Sequence, residues 1–92
     1  MSVEEIKNKI LPVLKKNGIE KAGIFGSFSR GDSTSDSDID ILVKIEKDIS
    51  LLDFIGIKLE LQDVLGRKVD LVEYDAIKPA IRENILKEEI AI

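Results

Sequence analysis

The chain has 92 residues, of which 43% are hydrophobic, and its 14 basic and 18 acidic residues give a net charge of −4. This length predicts a single domain over residues 1–92, and the acidic balance argues against a protein that binds duplex nucleic acid through its phosphates. Because the chain has no cysteine and no histidine, disulfides, thiol or imidazole catalysis and the usual zinc sites are excluded, and any metal must bind oxygen ligands.

The wholly apolar stretches are only a few residues long, well short of the ~20 residues that cross a bilayer. The first ten residues, MSVEEIKNKI, lack the pattern of a signal peptide. We therefore expect a cytoplasmic protein with no membrane partner.

The N-terminal part predicts a helix, a strand and a loop. Apolar residues at helical spacing predict a helix over residues 3–16, in which Pro12 predicts a kink or two short helical pieces. Lys21 to Phe25 is a short apolar run and predicts a buried strand. Residues 26–37 are typical of a loop, with one helical turn starting after Ser27.

The clearest strand is predicted over residues 39–45. Because side chains alternate along a strand, one face carries only isoleucine and valine, and the other carries Asp38, Asp40, Leu42 and Lys44.

A second helix is predicted over residues 51–65. Ser50 and Asp53 resemble a capping box at its start, and Gly66 is a typical C-cap. Apolar residues lie around most of this helix, so we expect it to be well buried.

The C-terminal part predicts a strand over residues 68–72, with Asp70 and Val72 on one face, and a helix over residues 75–89 with Pro79 in its first turn. The buried stripe of that helix is predicted to consist of Ile81, Ile85 and Leu86. The order of elements predicts an α+β fold, a small sheet covered by helices.

The paired aspartates point to a metal. Asp38 and Asp40 share a strand face with Cα atoms roughly 6 to 7 Å apart, so they repel each other unless a cation lies between them. Mg²⁺ suits them, since it binds carboxylates and substrate phosphates at about 2.1 Å. If the strand of Asp70 lies next to theirs, three carboxylates converge, as in phosphoryl transfer with two cations about 3.5–4 Å apart.

The residues upstream suit a phosphate. Gly26 lets backbone N–H groups approach phosphate oxygens, and the Ser27 hydroxyl adds a donor. A helical turn over residues 28–31 would also favour an anion, and Arg30 is the nearest fixed cation for a triphosphate.

Simpler interpretations stay open for several of these residues. The stretch 32–37 is typical of a solvated turn, Asp70 could be an edge-strand aspartate or a helix cap, and Arg30 could be an ordinary surface residue. A calcium-binding EF-hand fails, because Ile41 stands where glycine is needed and Lys47 where glutamate is needed.

The sequence GSFSRGDSTSDSDIDILV, with the later Asp70, resembles the signature of the minimal nucleotidyltransferases of the DNA polymerase beta superfamily, and the resemblance covers essentially the whole chain. It implies transfer of a nucleotidyl group from a nucleoside triphosphate such as ATP to a hydroxyl. It also implies that Asp38, Asp40 and Asp70 hold Mg²⁺ and that Gly26 and Ser27 bind the triphosphate.

Arg30 and Ser37 are secondary nucleotide contacts by the same resemblance. Larger family members carry a helical domain that binds the acceptor, and we expect a partner to supply it here. Small members resemble the antitoxins of toxin–antitoxin modules, which implies an all-helical HEPN toxin as partner and AMP transfer to one of its tyrosines.

Two other functions remain open. The chain could neutralise its partner by occlusion, with Ile90, Ile92 and the helix over residues 51–65 as contact surface. It could also modify a small molecule or an RNA 3′ end, against which the acidic balance argues.

Overall fold

The computed structural model describes residues 1–34 and 36–92. The elements follow in chain order as α1 (Val3–Lys16), β1 (Lys21–Phe25), α2 (Ser27–Arg30), β2 (Ile39–Lys44), α3 (Leu51–Leu65), β3 (Val69–Glu73), α4 (Pro79–Glu88) and β4 (Ile90–Ala91). A 3₁₀ turn, Tyr74–Ala76, lies between β3 and α4.

The strands form a four-stranded mixed sheet in the order β3, β2, β1, β4. β2 pairs with β3 in parallel, while β1 pairs antiparallel with both β2 and β4. A small mixed sheet with helices is the fold that the sequence predicts, so this expectation is confirmed.

The two faces of the sheet carry different partners. On one face, side chains such as Ile24, Ile41 and Leu71 form the main core with α1 and α3. On the other face, Leu42, Tyr74 and Ile77 form a smaller cluster, against which Phe25, Val72 and Ile85 pack. This second face, which we call the acidic face, also carries Asp40 and Asp70, because alternation along β2 and β3 places them on the side of Leu42 and Val72.

The first helix is one continuous element. The Ser2 hydroxyl accepts a hydrogen bond from the Glu5 backbone N–H, and the helix runs from Val3 through Pro12 to Lys16. The alternative of two short helical pieces is therefore wrong. Burial of α1 side chains on both sides of Pro12, among them Ile10 and Val13, offsets the hydrogen bond that proline cannot make.

The burial predicted for α3 is wrong. The capping box of Ser50 and Asp53 and the Gly66 cap are present as predicted. However, only its side chains Ile57, Leu61 and Leu65 are buried, whereas Leu51 and Leu52 are 73% and 80% exposed. The helix meets the core along one edge, which composition alone cannot reveal. In the described part of the chain no helix, α3 included, is long and apolar enough to span a membrane.

The C-terminal helix also differs from its prediction. It begins at Pro79, since residues 74–76 form the 3₁₀ turn, and it has no fully buried residue. Ile85 is partly buried, but Ile81 and Leu86 are 48% and 38% exposed, so the predicted buried stripe is wrong. One flank of α4 rests on the acidic face, and the other flank is uncovered.

The chain ends in a strand that the sequence did not predict. Ile90 pairs with Ile24 at the edge of the sheet. Just before it, the Glu89 carboxylate accepts a hydrogen bond from the Tyr74 hydroxyl and lies where a Cβ on Gly23 would be. Glycine at position 23 therefore leaves room for the Glu89 carboxylate.

Candidate functional site

The central relationship of the site is a pair of carboxylates on neighbouring strands. Asp40 on β2 is the direct register partner of Asp70 on β3. Asp38 precedes β2 by one residue and lies at the mouth of the strand. Asp38 and Asp70 are exposed, whereas Asp40 is half-buried. The parallel pairing thus brings the strand of Asp70 next to that of Asp38 and Asp40, which was the condition set by the sequence.

The electrostatics of the site centre on Asp40. The pKa of the Asp40 carboxyl is raised to about 6, first by burial and then by the negative charges of Asp70 and Asp38, against the opposing charge of Arg30. A carboxyl group that is partly desolvated and faces two like charges is stabilised by a bound cation.

Gly26 forms the floor beneath Asp40. Its φ of 74° is a conformation that favours glycine, and a Cβ at this position would collide with the Asp40 carboxylate. Two requirements therefore fix glycine here, a backbone turn and the close approach of a charged side chain. The second of these was not visible in the sequence.

The loop after β1 forms the predicted helical turn. α2 begins at Ser27 directly after Gly26, and the Ser29 hydroxyl donates to the Gly26 carbonyl at 2.8 Å. Phe28 is buried in the main core and anchors this turn. Ser27 is consequently held one residue from the floor of the carboxylate site.

Arg30 is engaged in two ion pairs. Its guanidinium donates to Asp32 at 3.2 Å and to Glu88 of α4 at 3.1 Å, and the hydrogen bond to Asp32 is the main reason that the pKa of Arg30 is raised. Glu88 lies 58 positions away in the chain, and no local sequence pattern could have indicated this pair.

Ser37 is part of a turn. Its hydroxyl accepts from the Thr34 N–H at 2.8 Å, and its carbonyl accepts from Arg67 at 2.7 Å. Arg67 also donates to the Thr34 carbonyl and lies over the Phe28 ring, 5.1 Å from its centre. Arg67, which the sequence did not single out, therefore ties the segment before Asp38 to α2 and to the end of α3.

The donor set fits Mg²⁺ in its chemistry, since it consists of carboxylate oxygens. Among the described residues, no three carboxylates lie close enough together to form a ready-made metal centre. The floor at Gly26 and the raised pKa of Asp40 both favour a cation beside Asp40.

Comparison with known families finds a match over most of the chain. Residues 8–92 match the family described as "Polymerase beta, Nucleotidyltransferase". A candidate protein adenylyltransferase of Methanocaldococcus jannaschii is 45% identical over 92 residues, which cover 100% of this chain and 99% of that protein. The protein adenylyltransferase MntA of Thermococcus cleftensis is 39% identical over 97 residues, covering 100% of this chain and 97% of that protein.

Solved structures give the same result for the fold. A candidate minimal nucleotidyltransferase superposes with a TM-score of 0.84 at 35% identity, over 100% of this chain and 97% of that one. A toxin–antitoxin crystal structure with AMP-PNP superposes with a TM-score of 0.81 at 25% identity, over 92% of this chain and 70% of that one.

Proposed function

The chain belongs to the polymerase beta nucleotidyltransferase family, and from this premise we propose that it transfers AMP from ATP to a tyrosine hydroxyl of an all-helical HEPN-type toxin and so acts as an antitoxin. The observation that carries the proposal is the pairing of Asp40 with Asp70 above the Gly26 floor. Relatives that are named protein adenylyltransferases and span the whole chain support AMP as the transferred group.

The site residues have two binding roles, one for the triphosphate and one for the metal. Gly26 and Ser27, at the start of α2, bind the triphosphate, and Asp38 lies at the mouth of β2. Asp38, Asp40 and Asp70 hold Mg²⁺, with two ions as the expected number. When bound, Mg²⁺ neutralises phosphate charge and makes the acceptor hydroxyl more acidic.

Bonds and protons balance as in other phosphoryl transfers. The acceptor oxygen bonds to the α-phosphorus of ATP, and the bond from that phosphorus to the bridging oxygen of pyrophosphate breaks. Asp70, which is exposed on the edge strand β3, takes the hydroxyl proton on a carboxylate oxygen. Pyrophosphate leaves with the electron pair, and no side chain of this protein becomes covalently modified.

Arg30 and Ser37 have secondary parts in the proposal. Arg30 reaches the triphosphate only if it leaves Glu88 or Asp32, to which it is paired. Ser37 contributes through its turn, which sets the position of Asp38. Both residues therefore act on nucleotide binding less directly than Gly26 and Ser27.

A mass measurement tests the proposal. The protein is incubated with the product of the neighbouring gene, ATP and Mg²⁺, and the intact mass of that product is recorded. We expect the mass to rise by one or more AMP groups, with pyrophosphate released in equal amount. An unchanged mass, combined with a stable complex, would show that the protein neutralises its partner by occlusion and not by catalysis.

Occlusion remains the second candidate because of a specific surface. Leu51, Leu52 and Leu59 on α3 are 73%, 80% and 56% exposed, which is unusual for leucine in a free globular surface. A partner that covers these side chains would be bound whether or not ATP is present.

A further inference from the structure

An apolar groove lies on the acidic face, next to one of the three carboxylates. It encloses about 300 Å³ between the sheet and α4. Its walls include the apolar side chains of Phe25, Val72, Ile77, Ile81 and Ile85. Asp70 contributes a carboxylate to this groove, and Lys78 contributes a basic side chain. The groove is continuous with the candidate site through Asp70.

The groove shares no lining residue with the triphosphate residues, although Phe25 precedes Gly26 in the chain. Among the described residues that line it, Asp70 is present, whereas Ser27 and Asp38 are not. In an in-line displacement, the entering oxygen and the leaving pyrophosphate lie on opposite sides of the phosphorus. With the triphosphate at Ser27, the entering hydroxyl approaches from the side of Asp70. The groove is thus on the acceptor side.

We propose that this groove receives the aromatic ring of a phenolic acceptor and thereby selects tyrosine over serine or threonine, an inference that rests on the proposed transfer reaction. A phenol has an apolar ring and one hydroxyl at its edge, which matches walls that are apolar apart from Asp70 and Lys78. An aliphatic hydroxyl at Asp70 would leave those walls in contact with water.

Ile81 and Ile85 are the residues of α4 that give the groove its selectivity. Ile77 is buried and supports the fold, so it is a poor site for substitution. Ile81 is 48% exposed and forms a rim that can be changed without opening the core. The exposed side of α4 at Ile81, where the sequence predicted a buried stripe, is the surface that an acceptor ring would cover.

The experiment uses p-cresol as the probe and isoleucine methyl NMR as the readout. The Ile81→Ser variant is compared with Ile55→Ser, a matched control, since Ile55 is 40% exposed on α3 behind the opposite face of the sheet. We expect p-cresol to shift the methyl signals of Ile77, Ile81 and Ile85 in a saturable way. Ile81→Ser should weaken this binding about tenfold, and Ile55→Ser should leave it unchanged.

A kinetic measurement adds a readout that a structural defect would not give. With a tyrosine-containing peptide as acceptor, Ile81→Ser should raise KM for the peptide about tenfold, leaving kcat and KM for ATP unchanged. A serine peptide should be modified poorly by all three proteins. Equal use of both peptides would overturn the inference.

The outcomes distinguish this inference from the proposed function. Nucleotide binding is followed separately through the Ser27 amide signal on addition of ATP with Mg²⁺. If that signal shifts and p-cresol leaves the groove methyls unmoved, the groove inference fails and the nucleotide site stands. If ATP itself shifts the groove methyls and displaces p-cresol, the groove binds adenine and the inference is overturned. If p-cresol binds and the Ser27 signal does not respond, the proposed function fails instead.

Discussion

Asp40 and Asp70 lie directly opposite each other across the parallel pairing of β2 and β3, on the face of the sheet that α1 and α3 do not cover. In the next row, Leu42 faces Val72, so the acidic row adjoins an apolar one. A sheet that places two carboxylates in register accepts a repulsive contact that neither strand requires for folding. Such a contact is expected where a cation is bound, and it motivates the first two predictions.

Asparagine at position 38 or 40 should abolish AMP transfer with the fold intact. Asparagine keeps the shape of the side chain but removes the charge that attracts Mg²⁺, and we expect activity to fall at least about a hundredfold. The measurement is label transfer from α-labelled ATP, with circular dichroism as the check on folding. Asp36→Asn is the control, because Asp36 is exposed in the preceding turn. Full activity in Asp38→Asn or Asp40→Asn would refute the assignment.

The stability of the metal-free protein should depend on the ionisation of Asp40. Burial and the charges of Asp70 and Asp38 raise the pKa of Asp40 from 3.8 to about 6, so the folded state holds this proton more tightly than the unfolded state. The free energy of unfolding should therefore decrease as the pH rises from about 4 to about 6 and show no further loss from this group above that range.

Asp40→Asn measures this contribution directly. Because solvent screens the half-buried carboxyl, we expect the variant to be more stable than the wild type by about 1 kcal/mol at pH 7, and equally stable below about pH 4. Thermal unfolding in the presence of a chelator gives the comparison. Adding Mg²⁺ at pH 7 should stabilise the wild type and leave Asp40→Asn nearly unchanged. A variant that is less stable than the wild type at pH 7 would contradict the prediction.

Gly26→Ala should be more damaging to activity than Gly31→Ala. Both glycines have positive φ, 74° and 79°, so alanine at either position should cost about 1–2 kcal/mol of stability. A Cβ at position 26 also collides with the Asp40 carboxylate, whereas a Cβ at position 31 meets no described atom within 4 Å. Since displacement of a catalytic group by about 1 Å can cost a hundredfold, only Gly26→Ala should lose activity on that scale.

The comparison is made at a temperature where both variants are folded. Melting temperatures that fall equally, with transfer lost only in Gly26→Ala, would separate the contact with Asp40 from backbone strain. Equal activity in the two variants would show that Asp40 does not depend on its glycine floor.

The sequence predicted those parts of the fold that local patterns determine. Alternation along residues 39–45 placed Asp40 and Leu42 on one face, and the capping box at Ser50 marked the start of α3 correctly. The sequence did not predict that the strands of Asp40 and Asp70 are neighbours, and the convergence of the carboxylates was conditional on it. Strand order depends on contacts between distant segments of the chain.

Burial and long-range polar contacts could not be predicted in the same way. The apolar composition of α3 does not tell which of its sides meets the core, and Leu52 is in fact exposed. The two-residue β4 is too short to show a period. Arg67 and Glu88 reach Ser37 and Arg30 across 30 and 58 positions, and only the folded chain brings these pairs together.

Arg67 should act as a positioning residue for the carboxylate site. Its guanidinium donates to the carbonyls of Thr34 and Ser37 at 2.9 and 2.7 Å, and it lies over Phe28 of α2. Removing these contacts frees the segment that leads into Asp38, so Arg67→Gln should weaken the apparent affinity for Mg²⁺ about tenfold.

The measurement is the dependence of AMP transfer on Mg²⁺ concentration. A general loss of stability would lower the amount of active protein at every Mg²⁺ concentration, whereas a misplaced Asp38 shifts the midpoint, and high Mg²⁺ then restores the rate. Lys68→Gln, at the exposed neighbouring position, removes the same charge without touching the turn and should leave the midpoint unchanged. An unshifted midpoint in Arg67→Gln would show that Asp38 is held in place without the contacts of Arg67 to Thr34 and Ser37.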